Sequence, residues 1–253
     1  MSRKKTKEDQ ESRAYSWALL ATLILLVSLI AQTPSRVLAH FLPPAAKPMV
    51  LSWGGTVWSG QVNWQYHNLQ GQSRWRLDPS AWLRLSLGVK WELLTSGSSI
   101  SGRASTGFGK WSVSKVQGSL SGNDLKGIMP NWDIPGGSPL SIKSLELLRK
   151  GQSWQGSAAR LEWQGGNMQY QMEGQKQAMA LPPVALEMRG QEGRLQLELS
   201  EQAGGAALAT FVLNGDMLES RLRQRLLMYA AGYRGVAEPD AFVVTASQPL
   251  SGL

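Results

Sequence analysis

The chain has 253 residues, a formal charge of +8 and no cysteine. This length can bury a real core in one large domain or two small ones, and the missing cysteines exclude disulfides, zinc thiolate sites, iron–sulfur clusters and thiol nucleophiles. The charge is not a nucleic-acid footprint: Arg3, Lys4, Lys5, Lys7 and Arg13 stand against Glu8, Asp9 and Glu11 in the first thirteen residues, and the remaining excess is scattered.

In chain order, residues 1–13 read as a short cytoplasmic tail. The twenty-two residues between Arg13 and Arg36 are uncharged, and as a helix they would cover about 33 Å, against a hydrocarbon core of roughly 30 Å. A single transmembrane helix over 14–31 is therefore expected, with Tyr15 and Trp17 at the cytoplasmic headgroup level and Pro34 ending it. The basic cluster ahead of it predicts a cytoplasmic amino terminus and an exported bulk, which in a Gram-negative cell means an inner-membrane protein with a periplasmic domain. Val37-Leu38-Ala39 would suit a signal-peptide cut. The long charged region of mixed sign, and the gap containing Pro34 and Arg36 before that cut, argue for retention as an anchor.

Residues 32–49 hold Pro34, Pro43, Pro44 and Pro48 and read as an extended spacer. A β-rich domain is expected over 50–234. Trp75 and Leu77 alternate with Arg74 and Arg76; Val89, Trp91 and Leu93 with Lys90 and Glu92; Leu195, Leu197 and Leu199 with Gln196 and Glu198. This period of two predicts half-buried antiparallel strands. Gly54-Gly55, Ser121-Gly122-Asn123-Asp124, Gly136-Gly137, Gly165-Gly166 and Gly204-Gly205 supply turns between them. The fold class is mainly β: a curved antiparallel sheet or sandwich-like domain with one C-terminal amphipathic helix.

Two helical segments are expected. Asp78 and Pro79 have N-cap and N1 chemistry for a short turn ending at Leu85. The principal helix is predicted over 217–231, with Asp216 and Glu219 at capping-box spacing, Leu218, Leu222, Leu226 and either Tyr229 or Ala230 on one face, and Gly232 at its end. Residues 235–253 read as a loose tail or late edge strand. A weak internal echo relates Trp58, followed by Trp64-Gln65, to Trp154, followed by Trp163-Gln164, with ninety-six residues between the first tryptophans.

The chain holds eleven tryptophans and four phenylalanines. Trp58, Trp64, Trp75, Trp82, Trp91 and Trp154 are the candidate core or interface aromatics, and Gly55, Gly60, Gly118, Gly122 and Gly156 the candidate glycine corners. A large ring can pack over a glycine of a neighbouring strand, so Trp58 near Gly60 and Trp154 near Gly156 read as architectural pairs; the functional alternative is an exposed aromatic surface for a partner protein or lipid. His40 and His67 lack a second histidine or carboxylate at ligand spacing, which argues against a metal site. No G-x-S-x-G elbow or phosphate-cradling G-x-x-x-x-G-K-[ST] is present, and the glycines of 102–109 lie among strand-like residues. The reading assigns no catalytic residue, no cofactor and no enzyme activity.

The Gly-Thr-Val-Trp-Ser-Gly motif at 55–60, Trp-Arg-Leu-Asp-Pro-Ser-Ala-Trp-Leu at 75–83, Gly-Ser-Leu-Ser-Gly at 118–122 and Gln-Gly-Ser-Ala near 155, in this order after a basic tail and an apolar span, resemble protein N of the bacterial type II secretion system. The likeness covers most of 14–232. It implies an accessory subunit of the inner-membrane platform, contacting other platform or periplasmic subunits in a machine that exports folded periplasmic proteins across the outer membrane. It implies no catalytic residue. The second reading is a lipid-binding or lipid-transfer module, in which a curved sheet holds acyl chains on an apolar face; no nucleic-acid partner is expected.

Overall fold

The computed structural model describes residues 17, 19–128, 132–133, 138–151, 153–154, 156–172, 175–202, 205–230 and 233–249. Sixteen strands follow in chain order: β1 Val50–Gly55, β2 Ser59–Tyr66, β3 Leu69–Asp78, β4 Leu87–Thr95, β5 Ser99–Gly107, β6 Lys110–Leu120, β7 Trp132–Asp133, β8 Leu140–Lys150, β9 Ala158–Trp163, β10 Gly166–Met172, β11 Gln175–Leu181, β12 Val184–Gln191, β13 Arg194–Glu201, β14 Ala207–Asn214, β15 Met217–Arg223 and β16 Phe242–Pro249. Thirteen form one antiparallel sheet in the order β1-β2-β3-β4-β5-β6-β8-β9-β12-β13-β14-β15-β16, and β11-β10-β7 form a small second sheet. Among the described residues no ladder joins β1 to β16.

The alternation seen in the sequence becomes two chemically distinct faces. Register places Ile142, Leu161, Leu186, Leu199, Ala209 and Leu222 directly opposite one another, one per strand from β8 to β15. The adjacent row on the other face reads Arg160, Glu187, Glu198, Thr210 and Arg221. Ile100, Val116 and Ile142 are buried against Trp91, Leu93, Val113, Leu145 and Leu161, all side chains of this same sheet. Same-face neighbours on a flat sheet do not enclose each other so far, so the sheet bends with its apolar face inward. Register shifts in β5, β6 and β8 assist the bend, because a bulge adds local twist.

Antiparallel order sorts the connections onto two rims. The turns at 56–58, 79–86, 108–109, 151–157, 192–193 and 215–216 share one, the near rim. The far rim carries the two insertions, 121–139 and 164–183, and the segment 224–241. There the inner face is capped: Trp163, Val184 and the fully buried Leu208 pack with Leu125 of the helix Gly122–Ile128, Leu181 of β11, and Leu226 and Tyr229 of the helical turn Gln224–Leu227. The Tyr229 hydroxyl donates to Glu201 Oε1 at 2.9 Å; burial, then that carboxylate, pushes its phenol up.

Several expectations are revised. The predicted helix over 217–231 is mostly strand: β15 pairs with β14 from Met217 to Leu222, and only Gln224–Leu227 is helical, while Ala231 and Gly232 lie outside the described residues. The stretch 235–253 is not wholly a loose tail, because β16 pairs along β15 as the late edge strand. The spacer 32–49 is not simply extended but winds into two 3-10 turns, Ser35–Phe41 and Lys47–Met49. The Ser121–Asp124 turn is a helix start, with the Asp124 amide donating to Ser121 Oγ at 3.2 Å. Gly136, Gly137 and Gly204 lie outside the described residues. The short turn after Asp78 is present as the 3-10 helix Pro79–Arg84, with Asp78 Oδ1 accepting from the Ser80 amide at 3.2 Å and its hydroxyl at 2.7 Å.

Of the expected span, residues 19–31 are a continuous described helix and 14–16 and 18 lie outside the described residues. The described part rises about 20 Å, and among the described residues no helix is long and apolar enough to cross a membrane.

Candidate interaction surface

The chain leaving the helix is fixed to the β1–β2 corner by four contacts. Trp58 Nε1 donates to the Ile30 carbonyl at 2.8 Å, the Val57 amide to the Thr33 carbonyl at 3.0 Å, Pro34 forms a β-bridge with Thr56, and the Ser35 hydroxyl donates to the Gly54 carbonyl at 3.1 Å. Ser35 is 1% exposed. The last carbonyls of a helix have no partner within it, and Trp58 supplies one.

Beyond this corner, three tryptophans lie over three glycines directly opposite them: Trp75 over Gly60, Trp64 over Gly71 and Trp91 over Gly102. A Cβ on these glycines would stand 2.5, 2.3 and 2.8 Å from the respective ring atoms, so only glycine admits the ring at that height. Trp64 Nε1 donates to Ser73 Oγ at 3.0 Å and Trp75 Nε1 to the Val57 carbonyl at 2.9 Å, which satisfies both indoles at little polar cost. Trp53 meets Trp75 edge to face at 6.1 Å. On the outer side, a groove of about 540 Å³ is lined by Gly54, Gly60, Gln61, Trp75 and Trp91, with Arg74, Arg76, Lys90 and Glu92 around it.

The ring over Gly60 thus belongs to Trp75 rather than Trp58, whose indole holds the helix end. Trp154 does not pair with Gly156, which lies in a turn with its nearest contact at Leu148. Instead Trp154 folds from the β8–β9 loop onto the inner face beside Ala159, Met188 and Leu195, meets Trp111 edge to face at 5.4 Å, and carries the Arg149 guanidinium at 5.2 Å. The echoed segments occupy equivalent places, each a near-rim loop leading into an outgoing strand, β2 or β9. Gly55 ends β1 opposite Gly60. Gly118, at φ +145°, brings β6 so close to β5 that a Cβ would lie 2.0 Å from the Ser99 carbonyl. Gly122 begins the helix 122–128; the side chain of Trp82 lies outside the described residues.

One polar cluster escaped the sequence reading. Asp124, 3% exposed, accepts from Thr95 Oγ1 and Ser98 Oγ. Burial pushes its carboxyl up, but the hydroxyls of Ser98, Thr95 and Ser121 outweigh burial and hold it below its ordinary value. The signal available in sequence was Ser121 three residues before Asp124, a helix-start spacing; the other two hydroxyls come from the distant β4–β5 turn. The cluster ties that turn to the helix, which gives it a structural role. His40 Nδ1 lies 3.3 Å from the Val37 carbonyl, and His67 of the β2–β3 turn meets Tyr66 edge to face. Among the described residues no three His, Cys, Asp or Glu side chains converge as metal ligands. The corner therefore offers recognition chemistry: cations, a carboxylate and glycine backbone.

The model of one protein family, type II secretion system protein N, matches residues 52–223, the stretch from β1 through β15. No match is found among curated proteins or among solved structures.

Proposed function

The chain belongs to the type II secretion system protein N family, and from that premise we propose that it is an accessory subunit of the inner-membrane platform, acting through protein–protein contacts in the export of folded periplasmic proteins across the outer membrane. The family match over almost the whole main sheet carries this reading. In it, the apolar segment 14–31 is a single membrane anchor, residues 1–13 are cytoplasmic, and the sheet lies in the periplasm. The latch between Trp58 and Ile30 supports the anchor's part, since it makes the helix and the sheet corner one mechanical unit. The aromatic and cationic groove beside that latch is the surface assigned to a platform or periplasmic partner.

The test is removal of the gene followed by assay of folded substrates outside the cell. Export should fall, with substrates accumulating in the periplasm. A reporter active only after export, fused at Gly215, should be active. Detection of a mature protein beginning at His40 would remove the anchor and leave export intact.

One observation favours the second reading, a lipid-binding module. The inner face around Ile100, Val116 and Ile142 is buried by side chains of its own sheet, and among the described residues no second layer packs against it. Normal secretion in the deletion strain, together with an altered envelope lipid distribution, would decide for lipid.

A further inference from the structure

The near rim next to the helix exposes large apolar side chains. Phe108, in the β5–β6 turn, is 79% exposed, Leu85 is 73% and Leu87 is 58% exposed. Isolated apolar residues at a surface are ordinary, but a contiguous set bordered by cations marks an interaction face. Leu85 and Leu87 border one shallow depression with Thr106 and Gly107, the residue before Phe108.

The cations are on the same strand ends. Register sets Arg76, Lys90 and Arg103 directly opposite one another across β3, β4 and β5, and Lys110 opposite Lys150 across β6 and β8. All five are exposed. Like charges directly opposite oppose strand pairing, and none of the five has an ion-pair partner among the described residues. The Asp78 carboxylate is felt by Lys90 and Arg103 but takes its hydrogen bonds from Ser80, and Glu92 is paired with Arg74 at 3.8 Å. Elsewhere on the outer face cations have carboxylate neighbours, as in Arg160–Glu162, Arg189–Glu187 and Arg221–Glu219. The near-rim turns of β12–β15 carry Glu192 and Asp216. Positive charge is thus in excess on the half of the rim beside the latched helix, whereas in the other half Arg194 is accompanied by Glu192 and Asp216.

We infer that this half-rim rests on an anionic phospholipid surface, with Phe108, Leu85 and Leu87 entering the interface and Arg76, Lys90, Arg103, Lys110 and Lys150 meeting headgroup phosphates. Aromatic and aliphatic tips beside lysine and arginine suit that boundary, and anionic headgroups draw basic side chains within a Debye length. The helix end pinned at Trp58 and Thr56 brings this rim, rather than the far one, to the bilayer, so the placement rests on the anchor reading.

Because the chain has no cysteine, single labels report position directly. Full-length Phe108→Cys, Leu87→Cys, Asn68→Cys and Leu23→Cys, each carrying an environment-sensitive fluorophore, would be reconstituted into vesicles of phosphatidylcholine alone or with phosphatidylglycerol, with quenchers on the acyl chains. Blue-shifted, lipid-quenched emission is expected at 87 and 108 when phosphatidylglycerol is present, with water-like emission at the far-rim position 68. In phosphatidylcholine alone, and in a triple Arg76→Gln, Lys90→Gln, Arg103→Gln variant with an unchanged circular dichroism spectrum, the shift at 87 and 108 should be largely lost. Water-like emission at 87 and 108 in both vesicles overturns the inference and leaves the rim to a protein partner. Position 23 reports the anchor alone: if it is unquenched, the anchor reading fails and the rim is still judged by 87 and 108.

Discussion

The indole Nε1 of Trp58 donates to the main-chain carbonyl of Ile30 across twenty-eight residues, at 2.8 Å. Here its ring holds the exit of the helix, so the orientation of the sheet relative to the apolar segment is set at one corner.

Trp58→Phe keeps most of the ring and loses the donor. The expected cost is about 1 kcal/mol, and it should be local: amide exchange at Thr33 and Val57 should quicken while the strands β5–β9 keep their protection. Uniform loss of protection across the sheet would place Trp58 in the global core instead.

Gly60 sits beneath Trp75 with backbone oxygens of Gly54 and Thr56 at 2.8 Å from its would-be Cβ. Backbone cannot yield as a flexible side chain does, so Gly60→Ala should destabilise by about 1–3 kcal/mol, and Gly60→Val by more. Thermal unfolding of the detergent-extracted chain measures this. A neutral Gly60→Ala would mean that the ring moves freely off the glycine. Trp75→Ala, which empties the same contact, should cost about 3–5 kcal/mol.

Leu208 is fully buried at the capped far rim, in contact with the cluster of Trp163 and Val184. Leu208→Ala should cost about 2–5 kcal/mol and loosen the Gln224–Leu227 turn. Proteolysis near Arg225 at unchanged protease concentration is the readout, and unchanged resistance would show the cap to be independent of this side chain.

Asp124 adds a pH dependence. Its folded pKa is held below the ordinary 3.8, so its contribution is complete above the unfolded value and is lost as pH falls through the folded one. Wild-type stability should therefore drop below about pH 4 more steeply than that of Asp124→Asn. At neutral pH, Asp124→Ala should cost about 1–3 kcal/mol by leaving hydroxyls unpartnered. Parallel acid-unfolding curves for wild type and Asp124→Asn would contradict this account.

The alternation of Trp75, Leu77, Val89, Trp91 and Leu93 was enough to identify strands and their buried face, because period two is a local property of an extended chain. Asp78-Pro79 likewise marked its short helical turn through chemistry confined to neighbours. The segment from Met217 could not be settled that way. Leu218 and Leu222 are four apart, a spacing that shares a face in a helix and, being even, also in a strand. The choice falls to its pairing partners, β14 across the tight turn at 215–216 and β16 from beyond the segment 224–241. The same holds for the aromatic corner: which ring covers Gly60 depends on cross-strand register, and the nearest tryptophan in sequence, Trp58, was taken up by Ile30. Composition and local pattern determined that this chain builds strands with one apolar face. Pairing between distant segments decided which residues meet on it, because hydrogen-bond partners in a sheet are chosen across the chain and not along it.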